Sequence, residues 1–370
     1  MKKVLVNFTG RTSGGPLYAY NMVKGMLANG AEVSAIVSSG NCLLNDFRKL
    51  PLKKLVVIDT YHNKISFLFN TFRFVLFERK KIKKMLEEEK FDIIYCPMYT
   101  YWSVYINRLF IDIPLYVTLH DPALHSGESL FNRWFFIKNC EQETRRAKKI
   151  IILSRVFQHD VAELYEKKVD DVLVIPHGVF DNYQMVSKSK QSRYDANKIN
   201  FVFFGRIEEY KGLSVLLEAY YRLEQLYGDR TTLTLAGNGD FSPYQKKFQR
   251  LRHANLINRY IEDDEVAGLF SGETVVTVLP YLDATQSGVV SIAMQNTNLI
   301  IATQTGGLAE QLGDGKYGLL VPPANSEALF KVMEQVVLHF HDYDTLREKA
   351  HESLRNLSWD YLAQKILKAE

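Results

Sequence analysis

Short β-branched runs, each followed by a turn and a helical pattern, recur along this chain, and the series starts twice. In the first half the runs are residues 2–7, Ala31–Val37, Leu55–Ile58, Asp92–Tyr95, Leu115–Thr118, Lys149–Leu153 and Val172–Val174. Helical patterns fill about Pro16–Ala28, Ile65–Glu89 and Asn132–Lys148. A polar stretch around Ser187–Asn200 interrupts the series and reads as a linker. The pattern then restarts, with strands at Asn200–Gly205, Thr232–Ala236, Thr274–Leu279 and Leu299–Ala302. Helical patterns follow at Leu213–Tyr227, Val289–Met294 and Ser326–Phe340. Continuous apolar runs alternating with helices predict parallel sheets covered on both faces. A single core stops growing at roughly 250–300 residues, so 370 residues predict two doubly wound, Rossmann-like α/β domains. Ligand is expected where the carboxyl ends of their strands face a common cleft.

Composition removes several other classes. With 46% hydrophobic and 24% charged residues the chain is neither disordered nor low in complexity. Cys42, Cys96 and Cys140 stand far apart in no metal-ligand spacing, which argues for a reducing compartment and against a disulfide scaffold or zinc site. The opening run Met1–Val6 is too short for a signal peptide and reads as a first strand. No stretch approaches the roughly 20 apolar residues that span a bilayer. The net charge of +4 is unevenly distributed. Residues 1–185 carry 26 Lys+Arg against 19 Asp+Glu, and residues 186–370 carry 20 against 23. Only the first half is fitted to an anionic surface.

The second half holds the residue types suited to a diphosphate. Phe203-Phe204-Gly205-Arg206 ends a strand in a glycine turn, and Lys211-Gly212 precedes a helix. Arg206 offers a planar fork and Lys211 a point charge, beside a helix N-terminus. On spacing alone, two solvated loop charges fit as well. Ala236-Gly237-Asn238-Gly239 closes the next strand with glycines that let backbone approach a ligand. In Pro280–Val289, Thr285, Gln286 and Ser287 bring neutral hydrogen-bonding groups, and Ser287, Gly288 and Val289 are expected to turn backbone N–H groups to an anion. Thr303–Glu310 repeats the strand, glycine turn and helix.

Taken in order, Gly205-Arg206…Lys211-Gly212, Ala236–Gly239, Ala284–Gly288, Thr305-Gly306-Gly307…Glu310 and Gly318–Pro322 strongly resemble glycosyltransferase family 4, the group 1 glycosyltransferases, in its bacterial surface polysaccharide branch. The resemblance runs over almost the whole chain. Ser13-Gly14-Gly15 resembles the family's N-terminal glycine loop, His120-Asp121-Pro122 its histidine after a strand, Ser154 a strand end, and Ile175–Val179 the segment before its linker.

The resemblance implies the GT-B fold: an acceptor-binding domain 1–185, a nucleotide-sugar-binding domain 186–352 and a terminal helix 353–370 that contains Trp359 and crosses back to the first domain. It implies retaining transfer of a sugar from a nucleotide diphosphate sugar, UDP- or GDP-linked, as co-substrate. No other cofactor and no metal are required, and the lack of an Asp-x-Asp pair in a plausible loop fits that. Arg206 and Lys211 map to the cations that hold the diphosphate. The stretch Thr285–Val289 maps to the phosphate and sugar loop, with Gly205 and Gly237 in the same donor site. Tyr260-Ile261 maps to the nucleobase frame, His120 to a residue near the donor sugar, and Gly14 and Gly15 to the loop near the phosphates and acceptor. His125 and His177 are weaker candidates. One departure stands out: two glutamates eight apart are common in the family, and Ala284 and Ile292 occupy their places here. Asp283 is the nearest substitute for the first, and Glu310 is a candidate for ribose contact.

The basic half points to a surface role. In residues 64–90 the positions 65, 68, 72, 75, 79, 82 and 86 share one helical face and are expected to be core. Phe67, Phe74 and Phe77 fall outside it, beside Arg79-Lys80-Lys81-Ile82-Lys83-Lys84. Surplus aromatics beside cations suit a helix lying on an anionic membrane, and Leu130–Phe136 adds a second patch. No recognisable nucleic-acid module is present. The expected protein is a cytoplasmic enzyme, peripheral on the inner face of the plasma membrane, that extends a lipid-linked or saccharide acceptor. A nucleotide-sugar epimerase of the same fold and a catalytically silent nucleotide-sugar-binding subunit remain open alternatives.

Overall fold

A computed structural model describes residues 1–12, 14–61, 64–86, 88–120, 130–179 and 194–369; for residues 64, 68, 130–137, 263 and 264 it describes backbone alone. The chain forms two units, one made of Met1–Gly178 with Ser358–Glu370 and the other of Val179–Leu357. Ser13, Asp121, Pro122, His125 and residues 187–193 lie outside the described residues, as do the side chains of residues 130–136.

The first unit is built on seven parallel strands: β1 Lys3–Phe8, β2 Glu32–Ser38, β3 Lys54–Ile58, β4 Ile93–Cys96, β5 Leu115–Leu119, β6 Lys149–Ile152 and β7 Val172–Val174. Their order is β3-β2-β1-β4-β5-β6-β7. The chain builds outward from β1 through β2 to β3, then returns to place β4 on the other side of β1. The reversal between β1 and β4 opens a crevice at their carboxyl ends. All of β4 and β6 are buried, as central strands covered on both faces must be.

Trp359 closes this unit. It begins the helix Trp359–Lys368, whose side chains Leu362, Ala363 and Ile366 are buried. Asn29 donates to the Asp360 carbonyl at 2.8 Å, and Tyr116 donates to the Ala369 carbonyl at 2.8 Å. A Cβ on Gly178 would sit 2.5 Å from the Trp359 indole, and one on Gly25 would sit 2.4 Å from the Trp359 carbonyl. The two glycines are therefore the condition for seating the helix.

The second unit has six parallel strands: β8 Ile199–Phe204, β9 Thr231–Ala236, β10 Ala254–Ile257, β11 Val275–Leu279, β12 Leu299–Thr303 and β13 Leu319–Val321. The order β10-β9-β8-β11-β12-β13 puts the reversal between β8 and β11. Strands β10 and β13 and the helix Asp263–Phe270 are additions to the sequence-based reading. Strand β10 is an edge strand with no fully buried residue, so it carries no continuous apolar run.

One sequence expectation is overturned. The pattern at 64–90 is a helix, but in three parts: Lys64–Arg73, a π-helical turn Phe74–Glu78, and Arg79–Leu86. Beyond the turn the expected stripe is correct, since Ile82 and Leu86 are buried. Before it, the stripe faces outward: Ile65 is 81% exposed and Phe72 66%, while Phe74 is 3% exposed. A π turn takes one residue more than an α turn. The buried face upstream is accordingly displaced by one position, to Phe67 and Phe74. Phe69, Val75, Leu76, Phe77 and Met85 join Ile65 and Phe72 on the surface, next to exposed Lys80, Lys81, Lys83 and Lys84. Among the described residues no helix is long and apolar enough to cross a membrane.

The displaced register is testable by stability. Phe74→Ala should cost about 3–5 kcal/mol through the cavity it leaves, and Phe72→Ala less than about 0.5 kcal/mol. Urea unfolding measures both, and equal costs would reject the register.

Candidate functional site: the carboxyl edge of the second sheet

The loops after β8, β9, β11 and β12 meet at the carboxyl edge of the second sheet, and glycine lets them touch. A Cβ on Gly237 would lie 1.8 Å from the Gly205 carbonyl oxygen, and one on Gly212 1.9 Å from that of Pro280. Both glycines hold positive φ, 146° and 66°, where a side chain would be strained as well as crowded. The Ile207 N–H donates to the Asn238 carbonyl at 2.9 Å, and the Leu282 N–H to the Tyr210 carbonyl at 2.7 Å.

This frame positions Arg206 and Lys211. Arg206 is 72% exposed and pairs with Glu208 at 3.1 Å. Exposed pairs of this kind are worth roughly 0–1 kcal/mol, so a phosphate can displace the partner at little cost. Lys211 lies in the 3-10 turn Glu209–Lys211, with Nζ 3.7 Å from the ring centroid of Tyr281 and 4.9 Å from that of Tyr210. The aromatic faces hold the ammonium without neutralising it. Tyr281 is fully buried, and its hydroxyl is 3.2 Å from Ser287 Oγ. The loops from β8 and β11 therefore bring the cation of one and the serine of the other to the same tyrosine.

Ser287 caps the helix Gly288–Gln295, its Oγ accepting the Val289 N–H at 3.3 Å. Its own N–H donates to Gln311 Oε1 at 2.8 Å, and Gln311 Nε2 donates back to the Ser287 carbonyl at 3.2 Å. The expectation that Ser287, Gly288 and Val289 all turn N–H groups to an anion is corrected here. Two of the three are engaged within the protein, and Gly288 carries the remaining one at the helix start. Gln311 escaped the sequence reading although it adjoins Glu310, because a surface-helix glutamine has no signature that marks it as a clamp. Thr303 and Thr305 donate to the carbonyls of Tyr281 and Leu282 at 2.6 and 3.3 Å, fixing the loop from behind. Thr285 is buried, Gln286 half-buried and Asp283 exposed. Glu310 is half-buried on the short helix Leu308–Gln311. Ala284 and Ile292 are buried in this unit's apolar core.

Tyr260 is exposed and Ile261 buried. They precede a capping box, in which Glu262 and Glu265 cap the helix Asp263–Phe270. Arg259 grips Glu265 with two 2.7 Å contacts and donates to the Tyr260 carbonyl at 3.0 Å.

The first unit holds the other expected residues. Gly14 opens the helix Gly14–Ala28 with free space around it, while Gly15 packs on Met98 and Phe8. His120 follows β5, and its Nε2 donates to the Pro97 carbonyl at 2.9 Å, because a carbonyl only accepts. Buried Tyr18 stands edge-on to His120 at 4.6 Å, to Trp359 at 5.3 Å and to His177 at 5.6 Å. Burial lowers the His177 pKa to about 4.

Two doubly wound parallel-sheet units, one with two cations beside its sheet reversal, place the chain among proteins built from tandem Rossmann-like halves. Residues 12–182 match the model of Glycosyltransferase Family 4, and residues 198–339 that of Glycosyl transferases group 1. Together the matches take in most of both units, and the chain belongs to the group 1 glycosyltransferases of family 4. It is 26% identical over 321 residues to an uncharacterized glycosyltransferase of Methanocaldococcus jannaschii, covering 83% of this chain and 82% of that one. It is 26% identical over 227 residues to a phosphatidyl-myo-inositol mannosyltransferase of Mycobacterium leprae, covering 59% and 58%. The structure of Anabaena HepE in complex with UDP superposes with a TM-score of 0.73 at 17% identity, covering 100% of this chain and 99% of that one. The fold is GT-B.

His177 provides a pH test. Its folded pKa lies below the ordinary 6.5, so the unfolded chain binds the extra proton first. Its contribution is complete above pH 6.5 and is lost as pH falls towards 4. At about 1.4 kcal/mol per unit, wild type should lose about 3 kcal/mol over that window relative to His177→Gln, as urea unfolding at each pH will show.

Proposed function

We propose that the protein is a retaining glycosyltransferase that moves a sugar from a nucleotide diphosphate sugar, UDP- or GDP-linked, to a lipid-linked or saccharide acceptor in polysaccharide or glycolipid biosynthesis. The observation that carries this reading is Lys211 held 3.7 Å over the buried Tyr281 ring, five residues after the loosely paired Arg206, at the reversal of the second sheet. Two cations there suit a leaving diphosphate better than a neutral ligand. The resemblance of Anabaena HepE, whose structure holds UDP, supports the same choice of donor.

In the proposed reaction the bond from sugar C1 to the β-phosphate oxygen breaks, and the nucleoside diphosphate leaves with the electron pair. Arg206, Lys211 and the Gly288 N–H stabilise its charge. The acceptor hydroxyl oxygen bonds to C1 on the face the diphosphate leaves, and its proton passes to a departing phosphate oxygen. No protein nucleophile or resident cofactor is assigned, and no metal is called on. By the family resemblance, Tyr260 and Ile261 frame the base, Thr285, Gln286 and Asp283 meet the sugar and phosphate, Glu310 meets the ribose, and His120 is assigned to sugar contact.

The enzyme is further proposed to work peripherally on the inner face of the plasma membrane. The exposed apolar face at Ile65–Met85, flanked by four lysines, suits insertion into an anionic interface. One relative is named for phosphatidyl-myo-inositol, a lipid.

Arg206→Ala and Lys211→Ala should each lower kcat about 10²–10³-fold, the usual loss for a charge-stabilising donor, with unchanged melting temperature. Unaltered turnover would sink the phosphate assignment, and an inverted anomeric configuration in the product NMR spectrum would sink retention. Consumption of donor without acceptor would favour the epimerase. For the membrane, flotation with phosphatidylglycerol vesicles but not phosphatidylcholine vesicles is expected, and the K80E/K81E/K83E/K84E variant should stay unbound. Equal flotation of variant and wild type would refute the electrostatic part.

A further inference from the structure

The reversal of the first sheet carries a site that neither the family match nor the sequence motifs assign. Outside the carboxyl ends of β1 and β4 lie residues 9–11 and 97–102, which is where open parallel sheets take ligands. The hydroxyls of Thr9 and Thr100 hydrogen-bond across the crevice. Arg11 lies beside them, anchored by its carbonyl, which accepts the Cys42 N–H at 2.9 Å. Its guanidinium carbon is 5.0 Å from the ring centroid of Tyr61. Gly40 makes room for it, since a Cβ there would come within 2.5 Å of Arg11 Nε.

Arg11 Nε is buried and has no hydrogen-bond partner among the described residues. Nor does any described carboxylate stand within ion-pair distance of this side chain, whereas Arg73, nearby in sequence to the same ring cluster, is paired with Asp59 and Glu78. A guanidinium donor left unmatched in a buried position is costly, and an anion removes the cost.

Beside Arg11 is an aromatic floor. Tyr61 and Phe67 are in ring contact with each other and each with Tyr101 and Trp102, with centroids 5.2–6.3 Å apart. Trp102 is fully buried and fixes the cluster, whereas Tyr101 is 45% exposed. Tyr61 touches both Arg11 and Tyr101, so the cation and the open ring lie within the span of one small ligand. The flat C–H face of a pyranose stacks on such a ring, and a phosphate pairs with such a cation.

The geometry points to a subsite for a sugar that carries a phosphate: Arg11 takes the phosphate and Tyr101, backed by Tyr61, takes the ring. The inference rests on the transferase reading above and names the acceptor class for it. The phosphorylated sugar has two sources, a soluble sugar phosphate or the head of a polyprenyl diphosphate. Phe67 lies on the helix Lys64–Arg73, whose outer face is apolar, which favours the lipid-carried form.

The test is calorimetric titration of the protein saturated with whichever of UDP and GDP it binds, so that the nucleotide site is filled. Glucose 1-phosphate should bind at least tenfold more tightly than methyl α-glucoside or inorganic phosphate. Arg11→Ala should abolish that advantage and leave nucleotide affinity unchanged. Arg11→Lys should restore part of it, and a native melting temperature in both variants separates binding from folding. Tyr101→Ala should weaken both sugar probes about tenfold and phosphate hardly at all. Equal affinity in wild type and Arg11→Ala, or binding lost once nucleotide is bound, overturns the proposal. If neither nucleotide binds, the donor reading fails, and the Arg11 comparison on the free protein still decides the subsite. Repeating the titration with polyprenyl diphosphoglucose in phosphatidylcholine vesicles identifies the source. A tenfold or larger gain over glucose 1-phosphate supports the subsite with a lipid carrier, and no gain supports it with a soluble sugar phosphate.

Discussion

Backbone contact between loops is the constraint on which the second unit's site depends. Gly237 rests on the carbonyl of Gly205, Gly212 on that of Pro280, and Gly306 on that of Ala284. Each contact leaves less than 2 Å for a Cβ, so no other residue fits without moving a strand end. Because the loops touch, their few side chains occupy fixed places. Lys211 reaches Tyr281, Tyr281 reaches Ser287, and Ser287 is clamped by Gln311. Four strands thus contribute to a small rigid surface that carries two cations and one helix start. Such a surface is organised before a ligand arrives, which is where electrostatic stabilisation of a leaving group is most effective.

The first unit uses a different device. There the fixed element is an aromatic packing: Tyr18 with Trp359, His120 and His177. Gly178 and Gly25 are the space in which Trp359 lies. The terminal helix therefore completes the first unit and also contacts the ring that holds His120. A loss of Trp359 would act on His120 through packing, although the two are far apart in sequence.

Much of this was legible in the residues because it follows from local rules. Parallel strands buried on both faces leave continuous apolar runs, and the turns between them need glycine. Those two signals locate β8, β9, β11 and β12 and the loops that carry Arg206, Lys211 and Ser287. What was hidden depends on geometry without a periodic signature. A π turn at Phe74–Glu78 shifts the buried face of the helix before it by one position, and a reading at 3.6 residues per turn cannot find the phase change. Gln311 acts through a contact 24 residues away in sequence. Edge strand β10 has too little burial to show a pattern. Arg11 is a single cation in a glycine-rich loop, and only the fold brings Tyr61 and Tyr101 to it.

Ala284 and Ile292, the positions at which the family resemblance leads one to expect glutamates, are buried in the apolar core. A carboxylate at either place would lie among Tyr281, Leu308 and other apolar side chains, where burying a charge without a partner is expensive. In the loop after β11, Ala284 offers its carbonyl to the Gly307 N–H, and Gln311 holds Ser287 from the other side. Exposed Arg206 pairs with Glu208 and Lys211 lies over aromatic faces, so both cations can turn to an arriving anion at little cost.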